Sequence, residues 1–234
     1  MKVEIWSDIA CPWCSIGKAR FEKALSDYAH SDAVEVTWRS WQLQPDAPAE
    51  AAPPVVEQLM ENYGRTREQV LGMMASVSEA GAGEGIDFRL EEAVAANTFD
   101  AHRLAKLGEA EGLGTAVMSR LMHAYHGEGA DVADPEVLVR LGLEAGLAED
   151  AIRSLLAGTD FAEEVRTDIG RGRQLGVTGV PFFVIDSQHG LSGAQPPEVF
   201  LSALEQLGPQ EPKLNMIGGS GVTCTDDGCT TDGA

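Results

Sequence analysis

The chain opens with an apolar run that gives way to a segment of helical period. Residues 2–10 (KVEIWSDIA) predict a buried strand that leads into a turn. After Pro12, apolar residues recur at roughly helical spacing with charged residues between them, beginning with Ile16 and Phe21. Proline is favoured at the first position of a helix, where its missing N–H costs little. The helix is therefore predicted to begin at Pro12, with Cys11 at or near the N-cap.

Further apolar runs predict a small sheet that a long helical block interrupts. Residues 34–43 (VEVTWRSWQL) are β-rich and predict a second strand. Residues 55–175 read as successive helices that end at or near glycine. A third strand is predicted at 179–186 (GVPFFVID), a short fourth strand at 190–193 (GLSG) and a final helix at 196–208 (PPEVFLSALEQLG). This order predicts an α/β fold with a helical insertion.

Two segments lack such periodicity. Residues 45–54 (PDAPAEAAPP) read as a Pro/Ala-rich connector that precedes the helical block. Residues 209–234 are rich in Gly, Thr, Asp and Pro, which predicts a flexible tail. This tail carries Cys224 and Cys229.

The charge balance narrows the classes of partner. The 234 residues include 17 Lys and Arg against 37 Asp and Glu, a net charge of −20. Such an acidic chain argues against nucleic acid or an anionic membrane as the main partner.

The sequence shows neither a signal peptide nor an apolar run of about 18 residues, so we expect a cytoplasmic protein without a membrane segment. In that compartment cysteine pairs are more often catalytic, redox-sensing or metal-binding than structural.

The motif Cys11-Pro12-Trp13-Cys14 places two thiols at the start of the predicted helix. Unpaired backbone N–H groups and the helix dipole favour a thiolate at Cys11, which makes this residue the candidate nucleophile. Cys14 lies one turn further on the same face and is placed to attack a mixed disulfide formed at Cys11. Pro12 fixes φ in the first turn, and Trp13 offers an apolar surface to peptide substrates.

Two other interpretations of this motif stay open. The pair is half of a zinc site, or the two thiols have no function. A four-cysteine zinc site usually pairs CxxC with a second CxxC. The second pair here, Cys224 and Cys229, is a CxxxxC on a Gly-rich tail, and we expect no metal site.

These features together resemble the DsbA family of thiol–disulfide oxidoreductases. The resemblance is carried by CPWC, by 176–186 (GVTGVPFFVID), by 97–106 (NTFDAHRLAK) and by 192–207 (SGAQPPEVFLSALEQL). The last two segments are closest to the FrnE-like branch and, with it, to hydroxychromene-carboxylate isomerases and kappa-class glutathione transferases. The likeness covers about residues 1–208.

The resemblance implies a thioredoxin fold with a large inserted all-helical domain. Residues 1–50 and 175–208 are then the N-terminal and C-terminal parts of the thioredoxin fold. Residues 51–174 form the helical insertion, and 209–234 form the cysteine-bearing tail.

The resemblance also implies roles for individual residues. Cys11 matches the exposed nucleophile of the family and Cys14 its buried resolving thiol. Val180-Pro181 matches the cis-proline dipeptide, whose backbone edge at Val180 is expected to hydrogen-bond an extended substrate. Glutathione-using relatives generally carry serine where this chain has Cys11.

Those glutathione-using relatives also show an aspartate soon after the glycine that follows the cis-proline strand. Here Gly193 is followed by Ala194 and Gln195. We therefore expect dithiol–disulfide exchange rather than a dedicated glutathione site.

The second cysteine pair and the histidines complete the set of candidates. Cys224 and Cys229 enclose TDDG, a turn-forming sequence that lets the ends approach, and we expect them to exchange electrons with Cys11 and Cys14. Metal binding and an inert disulfide stay open for that pair.

His123 and His126 are predicted on a polar, partly exposed helix face. The sequence leaves open whether His102 lines the cleft between the domains.

The sequence therefore predicts a cytoplasmic thiol–disulfide oxidoreductase or isomerase that acts on protein or peptide disulfides, with a role in oxidative stress. We expect no cofactor beyond the redox-active cysteines, a cellular thiol such as glutathione or thioredoxin as electron donor, and a monomer or homodimer. The alternatives are a glutathione-dependent isomerase or transferase on the same fold, and a zinc-binding or redox-sensing module that uses all four cysteines.

Overall fold

The computed structural model describes residues 1–47 and 53–209, together with the backbone of Val222–Thr225 and Gly228–Thr231. Residues 48–52 of the predicted connector and most of the predicted tail lie outside the described residues.

The main sheet consists of four strands. They span Lys2–Ser7 (β1), Glu35–Ser40 (β2), Phe182–Ile185 (β3) and His189–Ser192 (β4). Their order is β2-β1-β3-β4, with β1 parallel to β2 and antiparallel to β3, and with β3 antiparallel to β4. Because β1 is central and covered on both faces, five of its six residues are buried. This explains the continuous apolar run in its sequence.

Helices make up most of the remaining described structure. Their bounds are Pro12–Asp27 (α1), Val55–Tyr63 (α2), Arg67–Ala82 (α3), Phe99–Ala110 (α4), Gly114–Glu128 (α5), Pro135–Glu144 (α6), Glu149–Ala157 (α7), Ala162–Gln174 (α8) and Pro197–Leu207 (α9). None of the helices in the described ranges combines the length and the apolar character that crossing a bilayer requires.

Local sequence signals set several of the helix ends. Thr66 caps α3 and forms a reciprocal capping box with Gln69. Asp134 accepts hydrogen bonds from the first turn of α6, which begins with a proline. Gly64 ends α2 in the left-handed region at φ 59°, a conformation that costs glycine little. These signals explain why the helical block is readable from the sequence.

Helices α1 and α9 pack together on one face of the sheet. Phe21 of α1, Phe183 of β3 and Phe200 of α9 stack their rings with centroids 4.6 to 5.7 Å apart. Helices α2 to α8 all lie between β2 and β3 in the chain. This arrangement confirms the predicted fold class, a thioredoxin fold with a helical insertion.

The C-terminal segment contains a short two-stranded ribbon. Within residues 209–234, which were predicted to form a flexible tail, the backbone of Val222–Thr225 (β5) pairs antiparallel with Gly228–Thr231 (β6). Cys224 lies opposite Cys229 in this register. Threonine and valine favour strands, and a connection of two residues is a common hairpin length, which accounts for the ribbon.

A buried carboxylate on α8 joins the helical block to the sheet. Asp168 is 3% exposed and accepts hydrogen bonds from the backbone N–H of Ser40 at 3.0 Å and from Arg39 Nη1 at 3.1 Å. Its other polar contact is Lys106 Nζ on α4, at 2.6 Å. Lys106 also donates to the carbonyl oxygen of Trp38 on β2 at 2.7 Å. One carboxylate thus connects α8, α4 and β2.

Removing this carboxylate is expected to destabilise the protein strongly. Asp168→Ala removes the carboxylate that Lys106 and Arg39 share and leaves them only Glu109 and Glu4, respectively. Breaking one side of a buried ion pair costs up to about 3–5 kcal/mol. Urea unfolding followed by circular dichroism measures the loss. Thr167→Ala, at the exposed neighbouring position of α8, is the control and should change the free energy of unfolding by no more than about 0.5 kcal/mol. Equal losses in the two variants would contradict the role given to Asp168.

Candidate active site

The two cysteines of the CPWC motif lie where β1 turns into α1. Cys11 is the N-cap of α1, with an extended backbone, and Pro12 occupies the first helical position, as predicted. The Cys11 N–H donates to the Asp8 carbonyl oxygen at 3.1 Å, and the Cys14 N–H to the Cys11 carbonyl oxygen at 2.9 Å. No described side chain caps this helix end. The positive end of the helix therefore faces the Cys11 sulfur.

Both cysteines are free of any disulfide, and they differ in access. Cys14 is completely buried, and burial, together with the neighbouring Cys11 sulfur, raises the pKa of its thiol well above the usual range. The Ser7 hydroxyl and the Asp8 backbone act in the opposite direction on that pKa without overcoming the burial. Cys14 therefore stays a thiol at neutral pH.

Cys11 is less exposed than the resemblance implied. Only 5% of the residue is accessible to solvent. Its Sγ lies 3.6 Å from the carbonyl oxygen of Val180, which accepts a hydrogen bond from the thiol and covers one side of it. The accessible part of Cys11 lines a cavity beside α1.

The Val180-Pro181 segment lies directly against the start of α1. The peptide bond between these residues is cis. A Cβ at Gly17 would lie 2.8 Å from Pro181 Cγ, so the close approach of this loop to α1 requires glycine at position 17. The hydrogen bonds among the described residues do not use the Val180 N–H. This N–H and the adjoining carbonyl form a short backbone edge next to Cys11.

The residues after β4 also contact α1. Arg20 Nη1 donates to the Ala194 carbonyl oxygen at 2.7 Å, and the Gly193 N–H donates to the Pro181 carbonyl oxygen at 2.9 Å. Ala194 and Gln195, where glutathione-using relatives show an aspartate, therefore lie close to the cis-proline loop and to α1.

A cavity of about 450 Å³ opens beside Cys11 on the side of the helical block. Cys11, Pro12 and Trp13 form one wall of it. Side chains from α2 and α3 and the short turn at Leu90 form the opposite wall, while Asp8, Tyr125 and His126 contribute polar groups. Val180 and Pro181 are not among its lining residues, so of the predicted substrate-binding residues only Pro12 and Trp13 lie in it.

Asp8 is a site residue that the sequence reasoning missed. Its carboxylate is 1% exposed and accepts a hydrogen bond from the Leu43 N–H at 2.7 Å. It also accepts one from the Ala10 N–H at 3.4 Å and lies 3.4 Å from His102 Nε2 on α4. It directly follows the end of a buried strand and precedes Cys11 by three positions, a placement that would have marked it as a candidate.

Of the three histidines considered in the sequence, only His126 differs from its prediction. His102 is fully buried, with Nε2 2.8 Å from the Trp41 carbonyl oxygen, and it does not line the cavity. His126 was predicted on a partly exposed face but is 2% exposed, because α5 packs this face against the start of α1. The signal was present in the sequence, since His126 follows the buried Met122 by one helical turn. His123 on the other face is exposed, as expected.

Burial governs the chemistry of the His126 side chain. It lowers the pKa of His126 from its usual 6.5 to about 4, so the imidazole is neutral at physiological pH. Nδ1 lies 3.3 Å from the Ser15 hydroxyl on α1, and Nε2 has no hydrogen-bond partner among the described residues. Burial and the charge of Asp8 also raise the pKa of the neighbouring Tyr125 above its usual range. His126 and Tyr125 thus offer the cavity neutral polar groups beside the carboxylate of Asp8.

The described residues contain no group of three or more His, Cys, Asp or Glu side chains placed to hold a metal ion. The side chains of Cys224 and Cys229 lie outside the described residues, so the predicted second redox pair is defined only by its backbone register.

Comparison with known proteins places this architecture in context. A model of the DSBA-like thioredoxin domain matches residues 2–205. A crystal structure of a probable DsbA oxidoreductase from Streptomyces coelicolor is 42% identical, with a TM-score of 0.85 and full coverage of both chains. The uncharacterized protein YwbO of Bacillus subtilis (strain 168) is 23% identical over 206 residues, which cover 86% of this chain and 94% of that protein.

A more distant structure shares the fold alone. The cytosolic disulfide reductase DsbM from Pseudomonas aeruginosa is 20% identical, with a TM-score of 0.59, and the match covers 88% of this chain and 98% of DsbM.

The buried imidazole of His126 is expected to make stability depend on pH. The unfolded chain binds a proton at this position near pH 6.5, whereas the folded protein does so only near pH 4. The contribution is therefore fully present above about pH 6.5 and is lost as the pH falls towards 4, by roughly 3 kcal/mol. Urea unfolding at a series of pH values measures it.

The control is His123, an exposed histidine three residues earlier on the same helix. His126→Gln should unfold with a smaller loss of stability between pH 6.5 and 4 than the wild type, while His123→Gln should keep the wild-type dependence. The same slope in all three proteins would show that His126 is not the group responsible.

Proposed function

The chain belongs to the DsbA-like thioredoxin domain family, and on that premise we propose that it is a thiol–disulfide oxidoreductase that acts on protein and peptide disulfides through Cys11 and Cys14. The observation that carries the proposal is the pairing of Cys11, at an uncapped helix N-terminus beside a cavity, with the fully buried Cys14 one helical turn further on.

The proposed reaction proceeds by two exchanges. The Cys11 thiolate attacks one sulfur of the substrate disulfide, so that a bond forms between them while the substrate S–S bond breaks. The other substrate sulfur leaves as a thiolate and takes a proton from water. Cys14 then loses its proton and attacks the Cys11 sulfur, which releases the second substrate thiol and leaves a Cys11–Cys14 disulfide. The substrate gains two electrons and two protons, and the protein loses them.

The structure supports a division of roles between the cysteines. Burial keeps Cys14 protonated, so it does not compete for external disulfides before an adduct forms at Cys11. The Val180 backbone edge lies 3.6 Å from the Cys11 sulfur, a position from which it pairs with an extended substrate segment. Serine in the position of Cys11, the pattern of glutathione-using relatives, is absent here.

The cycle is completed by a thiol of the cell. We propose glutathione or a thioredoxin-type protein as electron donor, no cofactor beyond the cysteines, and a cytoplasmic monomer or homodimer that serves under oxidative stress. DsbM, a cytosolic disulfide reductase of the same fold, is a precedent for this location. The direction in the cell follows from the reduction potential of the Cys11/Cys14 couple relative to that of the compartment.

We also propose that Cys224 and Cys229 relay electrons to or from Cys11 and Cys14. Directly opposite residues of an antiparallel pair have Cα atoms roughly 4.5–5.5 Å apart. This lies within the span that a disulfide bridges. The register of β5 and β6 supports such a reversible disulfide in the tail.

The reduction of insulin by dithiothreitol tests the main proposal. Wild-type protein should accelerate insulin precipitation, and Cys11→Ser should fall to the uncatalysed rate because no nucleophile remains. Cys14→Ser should instead accumulate a mixed disulfide at Cys11, visible by mass spectrometry, because nothing resolves it. Equal rates for the wild type and Cys11→Ser, or no catalysis by the wild type, would refute the proposal.

The relay has a separate test. Cys224→Ser/Cys229→Ser should slow turnover about tenfold or more with at least one physiological reductant, because a tethered couple acts at a high effective concentration. Thr223→Ser/Thr230→Ser changes the neighbouring cross-strand pair and should retain the wild-type rate. A double cysteine variant that matches the wild type with dithiothreitol, glutathione and thioredoxin would exclude the relay.

A further inference from the structure

Two neighbouring polar groups at the end of β1 have no hydrogen-bond partner among the described residues. The Ser7 side chain is fully buried, and its hydroxyl pairs with no other described group. The hydrogen bonds among the described residues also do not use the N–H of Asp8, the next residue, which is itself buried. Buried polar groups are nearly always paired, so two adjacent donors without partners call for an explanation.

The Ser7 side chain lies on the face of the sheet that α1 covers. Side chains alternate along a strand, so Ser7 shares its face with Ile5, two residues earlier. Ile5 and Cys14 belong to the same buried core cluster. Trp6, between Ile5 and Ser7, points to the other face, where its indole N–H donates to the Asp168 carbonyl oxygen of α8. The Ser7 hydroxyl is therefore directed towards the helix that carries Cys14.

Cys14 is the group on which these two donors act. It is fully buried in the first turn of α1. Burial and the neighbouring Cys11 sulfur raise the pKa of the Cys14 thiol, whereas the Ser7 hydroxyl and the Asp8 backbone act to lower this pKa. Donors lower the pKa of a thiol by hydrogen-bonding to the thiolate. The neutral thiol is a weak acceptor, which explains why neither donor is engaged while Cys14 keeps its proton.

We propose that the Ser7 hydroxyl and the Asp8 N–H form an anion hole for the Cys14 thiolate, a pair of donors that binds the charge formed during the second exchange. The inference rests on the proposed function and adds two groups to its mechanism. Hydrogen bonds made to the ionised sulfur, and not to the thiol, accelerate the exchange without stabilising the resting protein.

The anion hole acts at one point of the exchange. The Cys14 thiol gives its proton to water, while Ser7 and Asp8 keep theirs and donate hydrogen bonds to the thiolate. The Cys14 sulfur then bonds to the Cys11 sulfur as the bond from Cys11 to the substrate breaks, and the substrate sulfur leaves with the electron pair and takes a proton from water.

The reverse exchange uses the same two donors. When a thiol attacks the Cys11–Cys14 disulfide at Cys11, Cys14 is the leaving group, and its thiolate again accepts hydrogen bonds from Ser7 and Asp8. The anion hole therefore accelerates both directions equally. It leaves the equilibrium between dithiol and disulfide unchanged, so the role holds whichever direction operates in the cell.

Ser7→Ala removes one donor and is expected to slow the second exchange alone. Reduced full-length protein is mixed with excess bis(2-hydroxyethyl) disulfide, quenched with acid at intervals and digested with pepsin. Mass spectrometry of the peptide that carries Cys11 and Cys14 separates the adduct at Cys11 from the internal disulfide. In Ser7→Ala the adduct should form at the wild-type rate but decay about tenfold or more slowly, because a hydrogen bond to a charged group is lost.

Ser40→Ala is the matched control. Ser40 is a buried serine of β2 that pairs in register with Ser7, and its replacement should leave both rates unchanged. The equilibrium of each protein with reduced and oxidised glutathione is a second readout, and Ser7→Ala should match the wild type within about twofold. Because formation and decay of the adduct are followed on the same molecules, a partly unfolded fraction does not distort their comparison.

The outcomes separate this inference from the proposed function. Decay of the adduct at the wild-type rate in Ser7→Ala, with insulin still reduced, would overturn the inference alone. Equal slowing in Ser40→Ala, or of adduct formation, would also overturn it, as would an equilibrium shift as large as the change in rate, because the hydroxyl would then act on stable states. A wild-type protein that forms no adduct at Cys11 and reduces no insulin would refute the proposed function, and the inference with it.

Discussion

The buried carboxylate of Asp8 holds together the three parts of the chain that meet at the cysteines. It fixes the turn that precedes Cys11, binds the segment after β2 through Leu43, and lies against His102 on α4. A buried carboxylate without such partners would cost several kcal/mol, so these contacts are mutually required. The position of Cys11 relative to the helical block therefore depends on one side chain at the end of β1.

Electrostatic contacts of the same kind fix the helical block at a second point. Asp168 joins α8 and α4 to the last residues of β2, where Ser40 pairs with Ser7, the residue before Asp8. With α4 held at both points, α5 packs His126 against the first turns of α1. The cavity is the space that remains between the redox helix and the block. The cavity therefore exists because polar contacts fix the helical block relative to the sheet and α1. Its apolar lining comes from the helical faces that meet there.

Burial gives two identical thiols different chemistry. Cys11 stands at the helix end, where the N–H groups are uncapped and the cavity gives access. Cys14 lies one turn deeper, where burial and its neighbour raise the pKa of the thiol. A two-step exchange needs this asymmetry. The first sulfur must be accessible to the substrate, and the second must stay protonated until a mixed disulfide has formed at Cys11.

The sequence by itself determined the features that depend on neighbouring residues. The turn into α1, the cap at Cys11, the proline at the first helical position and the succession of strands and helices along the chain follow from local patterns, and the structure has them as predicted. Only the tertiary structure decided the features that join distant segments: the contact of Val180 with Cys11, the partners of Asp8 and the burial of His126. Periodicity shows that a face is buried but does not identify the partner that covers it. The partner depends on packing between segments that lie from 35 to 169 residues apart in the chain.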